Sequence, residues 1–97
     1  MGDFMGKMQE MKQKSEEVKS TLDGIKVSAE AEEGKVKVEC NGNRKITGLE
    51  IESELLADKE QLEELTLIAV NRALEKAEKV YEAEMQSVAK GMLPGFM

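Results

Sequence analysis

Histidine and tryptophan are absent from this chain, cysteine and proline occur once each, and aromatic residues make up only 3%. Without histidine, a Cys/His or Ser/His catalytic pair is excluded, and one cysteine cannot supply the ligand spacing of a zinc site or a redox pair. A lone thiol suits a reducing cytoplasm. No apolar run approaches the ~20 residues that span a bilayer. The N-terminal stretch MGDFMGKMQEMK has no apolar core of a secretory signal, and Gly6 stands where a myristoylation signal carries Ser or Thr. The expected setting is the cytosol, with no membrane, small-molecule substrate, metal or cofactor as partner, and with no enzymatic activity.

What is present is a short acidic chain of 97 residues with a formal net charge of -6. That length allows one small domain, residues 1–97, with a thin core of its own. Met, Leu, Val and Ala carry the apolar share, the mix of helices that pack on helices. A marginal core built from long amphipathic helices favours an obligate oligomer, because seams left open on one chain must close on another. The acidic balance argues against a nonspecific polycation. It leaves open a local positive surface, since charges farther apart than a Debye length of ~8 Å act independently at physiological salt.

The hydrophobic period divides the chain into three segments. Over residues 3–24, Phe4, Met8, Met11, Ser15, Val18 and Leu22 recur at alternating steps of 4 and 3, which is the seam of a coiled-coil-like helix ended by Asp23-Gly24. Lys7 and Lys14 flank one side of that seam, and Lys12 and Lys19 the other. Over residues 25–52 the period becomes two. Ile25, Val27, Ala29 and Ala31, then Val36, Val38 and Cys40, then Ile46, Leu49 and Ile51 form a three-stranded antiparallel meander with one apolar face. The stretch EEGK makes the first turn, and NGN makes the second with residues that tolerate positive φ. Gly48 shifts the alternation by one residue and predicts a bulge or a close backbone contact.

Asp58, with Gln61 three residues on, reads as a capping box opening a long helix over 58–90, after which GMLPGFM breaks the helix as a flexible tail, 91–97. The first half of that helix is apolar on more than one side. Its second half narrows to Leu74, Ala77, Tyr81, Met85 and Val88, the pattern of an arm that leaves the body and pairs antiparallel with the first helix. The fold class is therefore α+β: helix, three-stranded antiparallel sheet, long helix.

Charge placement supplies the functional candidates. Arg72, Lys76, Lys79 and Lys90 lie on one stripe of the long helix, completed by Ala83 and Gln86 and free of acids. Such a row is either an ordinary solvated face, supported by pairs such as Glu75–Lys79, or a track for a polyanion. Lys7, Lys12 and Lys14 of the first helix would join the same arm. The remaining motifs are bland. Glu50, Glu52 and Glu54 read as a polar strand edge, Cys40 as a small core residue, and a single glycine in NGN cannot cradle a phosphate.

The order and spacing of GKVKVECNGNRKITGLEIESELL and DKEQLEELTLIAVNRALEKAEKVYEAEMQSVAKGMLPGF, spanning about residues 34–96, closely resemble the YbaB/EbfC family of bacterial nucleoid-associated proteins. Two positions depart from the family pattern: Ser53 stands where proline is usual, and Arg72 where an acidic residue is usual. The resemblance implies a tweezer-like homodimer whose helical arms engage double-stranded DNA, with a role in nucleoid organisation and gene expression. On this reading Leu62, Leu65, Ala69 and Ala73 form the dimer interface, and Lys7, Lys12, Lys14, Arg72, Lys76, Lys79 and Lys90 meet phosphates. Only Gln13 and Gln86 suit base-edge readout, and aromatic platforms for single strands are missing, so sequence preference is expected to be weak. The rival reading is a prefoldin-like chaperone subunit, in which the apolar stripe of the arm, rather than its lysines, grips a partner.

Overall fold

The computed structural model describes residues 2–92. Its elements follow in the order α1 (Gly2–Gly24), β1 (Lys26–Ala31), β2 (Val36–Asn41), β3 (Ile46–Ile51), a short 3-10 turn (Ser53–Ala57) and α2 (Lys59–Met92). The expected helix, three-strand meander and long helix are all present, and the sheet order is β1-β2-β3 with both pairings antiparallel. Gly91 does not end α2, which continues to Met92; near a helix end one glycine is a cost of only ~1 kcal/mol. The rest of the expected tail lies outside the described residues.

The core forms where α2 lies on the sheet. Val36, Val38 and Cys40 of β2, with Ala29 and Ala31 of β1, are buried beneath Leu65, Ala69, Ala73 and Ala77 of α2. Each fully buried valine contributes roughly 1.5–3 kcal/mol. Ala69, Ala73 and Ala77 are fully inaccessible, and their small side chains let the helix axis approach the strands closely. Cys40 is fully buried, a core residue as expected, and that burial raises the pKa of its thiol by penalising the thiolate.

α2 covers β1 and β2 but barely touches β3. Ile51, Leu49 and Ile46 pair across from Val36, Val38 and Cys40, so their side chains share the apolar face of the sheet. They remain open there, with Ile46 49% and Leu49 52% exposed. The helices therefore cover two strands of the three. Among the described residues no element covers the third.

The local signals fold largely as read. Asp58 caps α2: its Oδ1 accepts from the Gln61 backbone N–H at 3.1 Å. The reciprocal half of the capping box is not made, because the Asp58 N–H donates to the Leu55 carbonyl. The bulge falls beside Gly48, where Glu39 pairs with Gly48 and Cys40 with Ile46, leaving Thr47 as the extra residue.

The second turn differs from expectation. Its positive φ falls on Arg44 (64°), and none falls in NGN. Gly42 is needed instead for space, since a Cβ there would meet the Leu22 carbonyl oxygen at 2.8 Å and its Cδ2 at 2.9 Å. The Gly42 N–H donates to the carbonyls of Leu22 and Ile25. The end of α1 thus docks against the backbone of this turn, with Leu22 fully buried on it.

Beyond that anchor α1 runs antiparallel to α2, as Leu22 and Tyr81, Val18 and Met85, then Met11 and Val88 line successive hollows between the helices. The seam stays open toward its start, where Met8 and Met11 are exposed. The result is an elongated molecule of 65 × 26 × 17 Å with a radius of gyration of 18.8 Å; a compact chain of this length has about 12.5 Å. Gly42→Ala should lower stability by about 1–3 kcal/mol through overpacking against Leu22, read as a lower urea midpoint at unchanged slope.

Candidate nucleic-acid interface

The seven cations expected to meet phosphate sit in three places. Lys7, Lys12 and Lys14 are exposed along α1. Arg72 and Lys76 leave α2 while it still lies over the sheet, and Lys79 and Lys90 are exposed farther out. None of the seven is in an ion pair among the described residues, where the four ion pairs are Lys26–Glu39, Lys35–Glu32, Arg44–Glu78 and Lys59–Glu63.

Two of the seven have a structural role as well. Arg72 Nη1 donates to the carbonyl of Glu30 at 3.0 Å, and Lys76 Nζ donates to the carbonyl of Ser28 at 2.8 Å. Both acceptors lie on β1, one of the two edge strands of the sheet. The two cations thus occupy outward carbonyls that another strand would otherwise use. A carbonyl does not cancel the charge it binds, so the row stays positive while these two side chains are held close to the body.

Helical geometry fixes how the two sets of cations relate. Tyr81, Met85 and Val88 of α2 face α1. Arg72 and Lys90 are each nine residues from Tyr81, which at ~100° per residue is half a turn round the helix. The α2 row therefore lies on the back of the arm relative to α1. One arm carries both sets of cations, the α2 row on its back and the α1 lysines flanking the seam.

The residues expected at a dimer seam divide differently. Leu65, Ala69 and Ala73 face the chain's own sheet and are used in its core. Leu62 is half-buried and, with Ile51, Thr66, Leu67 and Val70, lines a shallow apolar groove beside the open face of β3. Leu67 in that groove is 64% exposed. This groove and strand form a continuous unpartnered apolar surface.

A third feature was not singled out from sequence. At the elbow, where the end of α1, the β2–β3 turn and α2 meet, Arg44 Nη1 donates to Glu78 Oε2 at 3.0 Å. The same guanidinium lies 4.1 Å from the centroid of the Tyr81 ring. Lys19 and Lys45 line the same hollow. The available signal was a hairpin turn, NGNRK, carrying two adjacent cations; what was missing was that α1 ends against it.

Comparison with known proteins adds the family. A model of the YbaB/EbfC DNA-binding family matches residues 1–92. The chain belongs to the YbaB/EbfC DNA-binding family. A nucleoid-associated protein of Flavobacterium johnsoniae is 38% identical over 91 residues, covering 94% of this chain and 86% of that one. One from Chlorobium phaeobacteroides is 37% identical over 93 residues, covering 96% and 84%. Among solved structures, an uncharacterized protein from Helicobacter pylori superposes with a TM-score of 0.75 over 96% of both chains at 22% identity. That likeness concerns the fold. For this YbaB/EbfC chain no helix among the described residues is long and apolar enough to cross a membrane.

Replacing both edge-guarding cations of β1, Arg72→Gln with Lys76→Gln, should cost less than about 1 kcal/mol, since the bonds are exposed. Light scattering should nonetheless show faster concentration-dependent association, because the strand edge is freed.

Proposed function

We propose that the chain acts as a homodimer that binds double-stranded DNA through its helical arms with weak sequence preference, as a cytoplasmic component of the bacterial nucleoid affecting gene expression. The observation that carries this reading is that Lys7, Lys12, Lys14, Arg72, Lys76, Lys79 and Lys90 are exposed and free of carboxylate partners among the described residues, in a chain whose net charge is -6. Family membership and the printed names of the relatives support it.

The homodimer rests on surface that one chain cannot cover. The accessible area is 7516 Å², whereas a compact monomer of this mass exposes about 5,500 Å². A second copy laid on β3 and the Leu62–Leu67–Val70 groove would bury the sheet face that α2 leaves open. Leu65, Ala69 and Ala73 then act from beneath, by setting the position of α2, and Leu62 acts at the seam itself. Leu67→Glu should convert the dimer to monomer in sedimentation equilibrium, with α2 and the core retained by circular dichroism.

Recognition is of phosphate. Few side chains on the track suit base edges, so counterion release dominates, and with roughly 4–6 phosphates neutralised log K should fall with log salt at a slope of about -4 to -5. Gel-shift titrations on unrelated duplexes across a salt series test this, and a flat dependence would refute it. Lys76→Gln, Lys79→Gln and Lys90→Gln together should make the slope shallower by about 2 to 3.

A second reading has one observation in its favour. The hollow between the helices, lined by Met11, Val18, Met85 and Val88 with Lys14 and Ser15 beside them, is mostly apolar and open, as a grip on a non-native polypeptide would require. The same triple lysine variant separates the two, because it would leave a chaperone's client binding intact.

A further inference from the structure

The elbow hollow has a volume of about 330 Å³ and is lined by Ser15, Lys19, Asn43, Arg44, Lys45 and Tyr81, among others. Its cations come from two elements that are distant in sequence, and a hydrogen-bond network fixes both. Asn41 Oδ1 accepts from the backbone N–H groups of Asn43 at 2.9 Å and Lys45 at 3.2 Å. Asn43 Nδ2 donates to the Lys19 carbonyl at 2.9 Å and to the Asp23 carboxylate. The turn that presents Arg44 and Lys45 is thereby stapled to the helical turn that presents Lys19.

Of the carboxylates nearby, Asp23 and Glu78 are engaged, and Glu16 of α1 is in no ion pair among the described residues. Asp23 Oδ1 accepts from the amides of Asn41 and Asn43, and Glu78 accepts from Arg44. Lys19 and Lys45 have no carboxylate partner among the described residues. Lys12 lies two helical turns from Lys19, about 10.5 Å along the same flank of α1, with Glu16 beside that line. The opposite flank is different, because Lys14 there lines a hollow together with Glu17 and Glu84.

We propose that this elbow seats a backbone phosphate of duplex DNA, with Lys19 and Lys45 providing the charge and Lys12 extending the contact along α1. The inference rests on the DNA-binding reading above and adds a contact that neither the arm rows nor the family match assigns. Phosphate is the fitting ligand because the hollow is lined by Lys19, Arg44 and Lys45, and the Tyr81 face turned toward Arg44 is taken by its guanidinium. Preorganisation matters as much as charge, since the two lysines need no loop rearrangement to converge.

The test is fluorescence anisotropy of the full chain on unrelated 20-base-pair duplexes over a KCl series, comparing wild type, K19Q/K45Q and K19R/K45R. The glutamine pair should make the salt slope shallower by about 0.9 and weaken binding roughly fivefold at 0.15 M salt, the share of one neutralised phosphate. The arginine pair should restore both. An unchanged slope in K19Q/K45Q, against a steep one for wild type, would overturn the elbow while leaving the arm reading in place. A loss that arginine does not restore would also overturn it, because charge would not be the cause. Salt-independent binding by wild type would remove the DNA reading itself, and the elbow with it.

Discussion

The contact on which the molecule depends is the row of alanines that α2 lays against the sheet. Ala69, Ala73 and Ala77 leave no gap between helix and strands, and such closeness limits how many strands one helix can shelter. Two are covered and the third is left bare. From that single limit follow the apolar face of β3, the reach of Arg72 and Lys76 round the near edge, and the free run of α2 beyond the body. A helix with bulkier residues at these positions would stand higher over the sheet and lose the close fit to Val36 and Val38.

How much of this could be read from residues alone varies with the kind of information required. Period-two alternation located the strands, and the phase slip at Gly48 located the bulge, because both are properties of the backbone pleat. Asp58 announced its helix for the same local reason. Ala69 and Ala73 were readable as buried but not as to what buried them: an alanine against its own sheet and one against a partner carry the same pattern. Gly42 was read as a conformational glycine, whereas its role is clearance for Leu22, a residue twenty positions away. Likewise the α2 stripe was visible as a stripe, but its position on the back of the arm depends on where α1 docks.

Both arm helices carry acids as well as bases, and the cations Arg72, Lys76, Lys79 and Lys90 of α2 are gathered on one stripe of it. Acids dominate the total, yet among the described residues the ion pairs involve Lys26, Lys35, Arg44 and Lys59 on the body and at the elbow, not the arm cations. Exposed pairs of this sort contribute little to stability. Their effect is instead to use up carboxylates locally, leaving other lysines uncompensated. In a chain with so few aromatic residues, the one tyrosine is spent on orienting a guanidinium, which gives the turn between β2 and β3 a definite position against α2.

The buried thiol of Cys40 has an experimental consequence. It sits under the alanine row with no exposed surface, and its raised pKa further slows alkylation. A maleimide or iodoacetamide can reach it only when helix and sheet part. Its modification rate is therefore a native clock for opening of the body, read without a label and independent of motions confined to the arm.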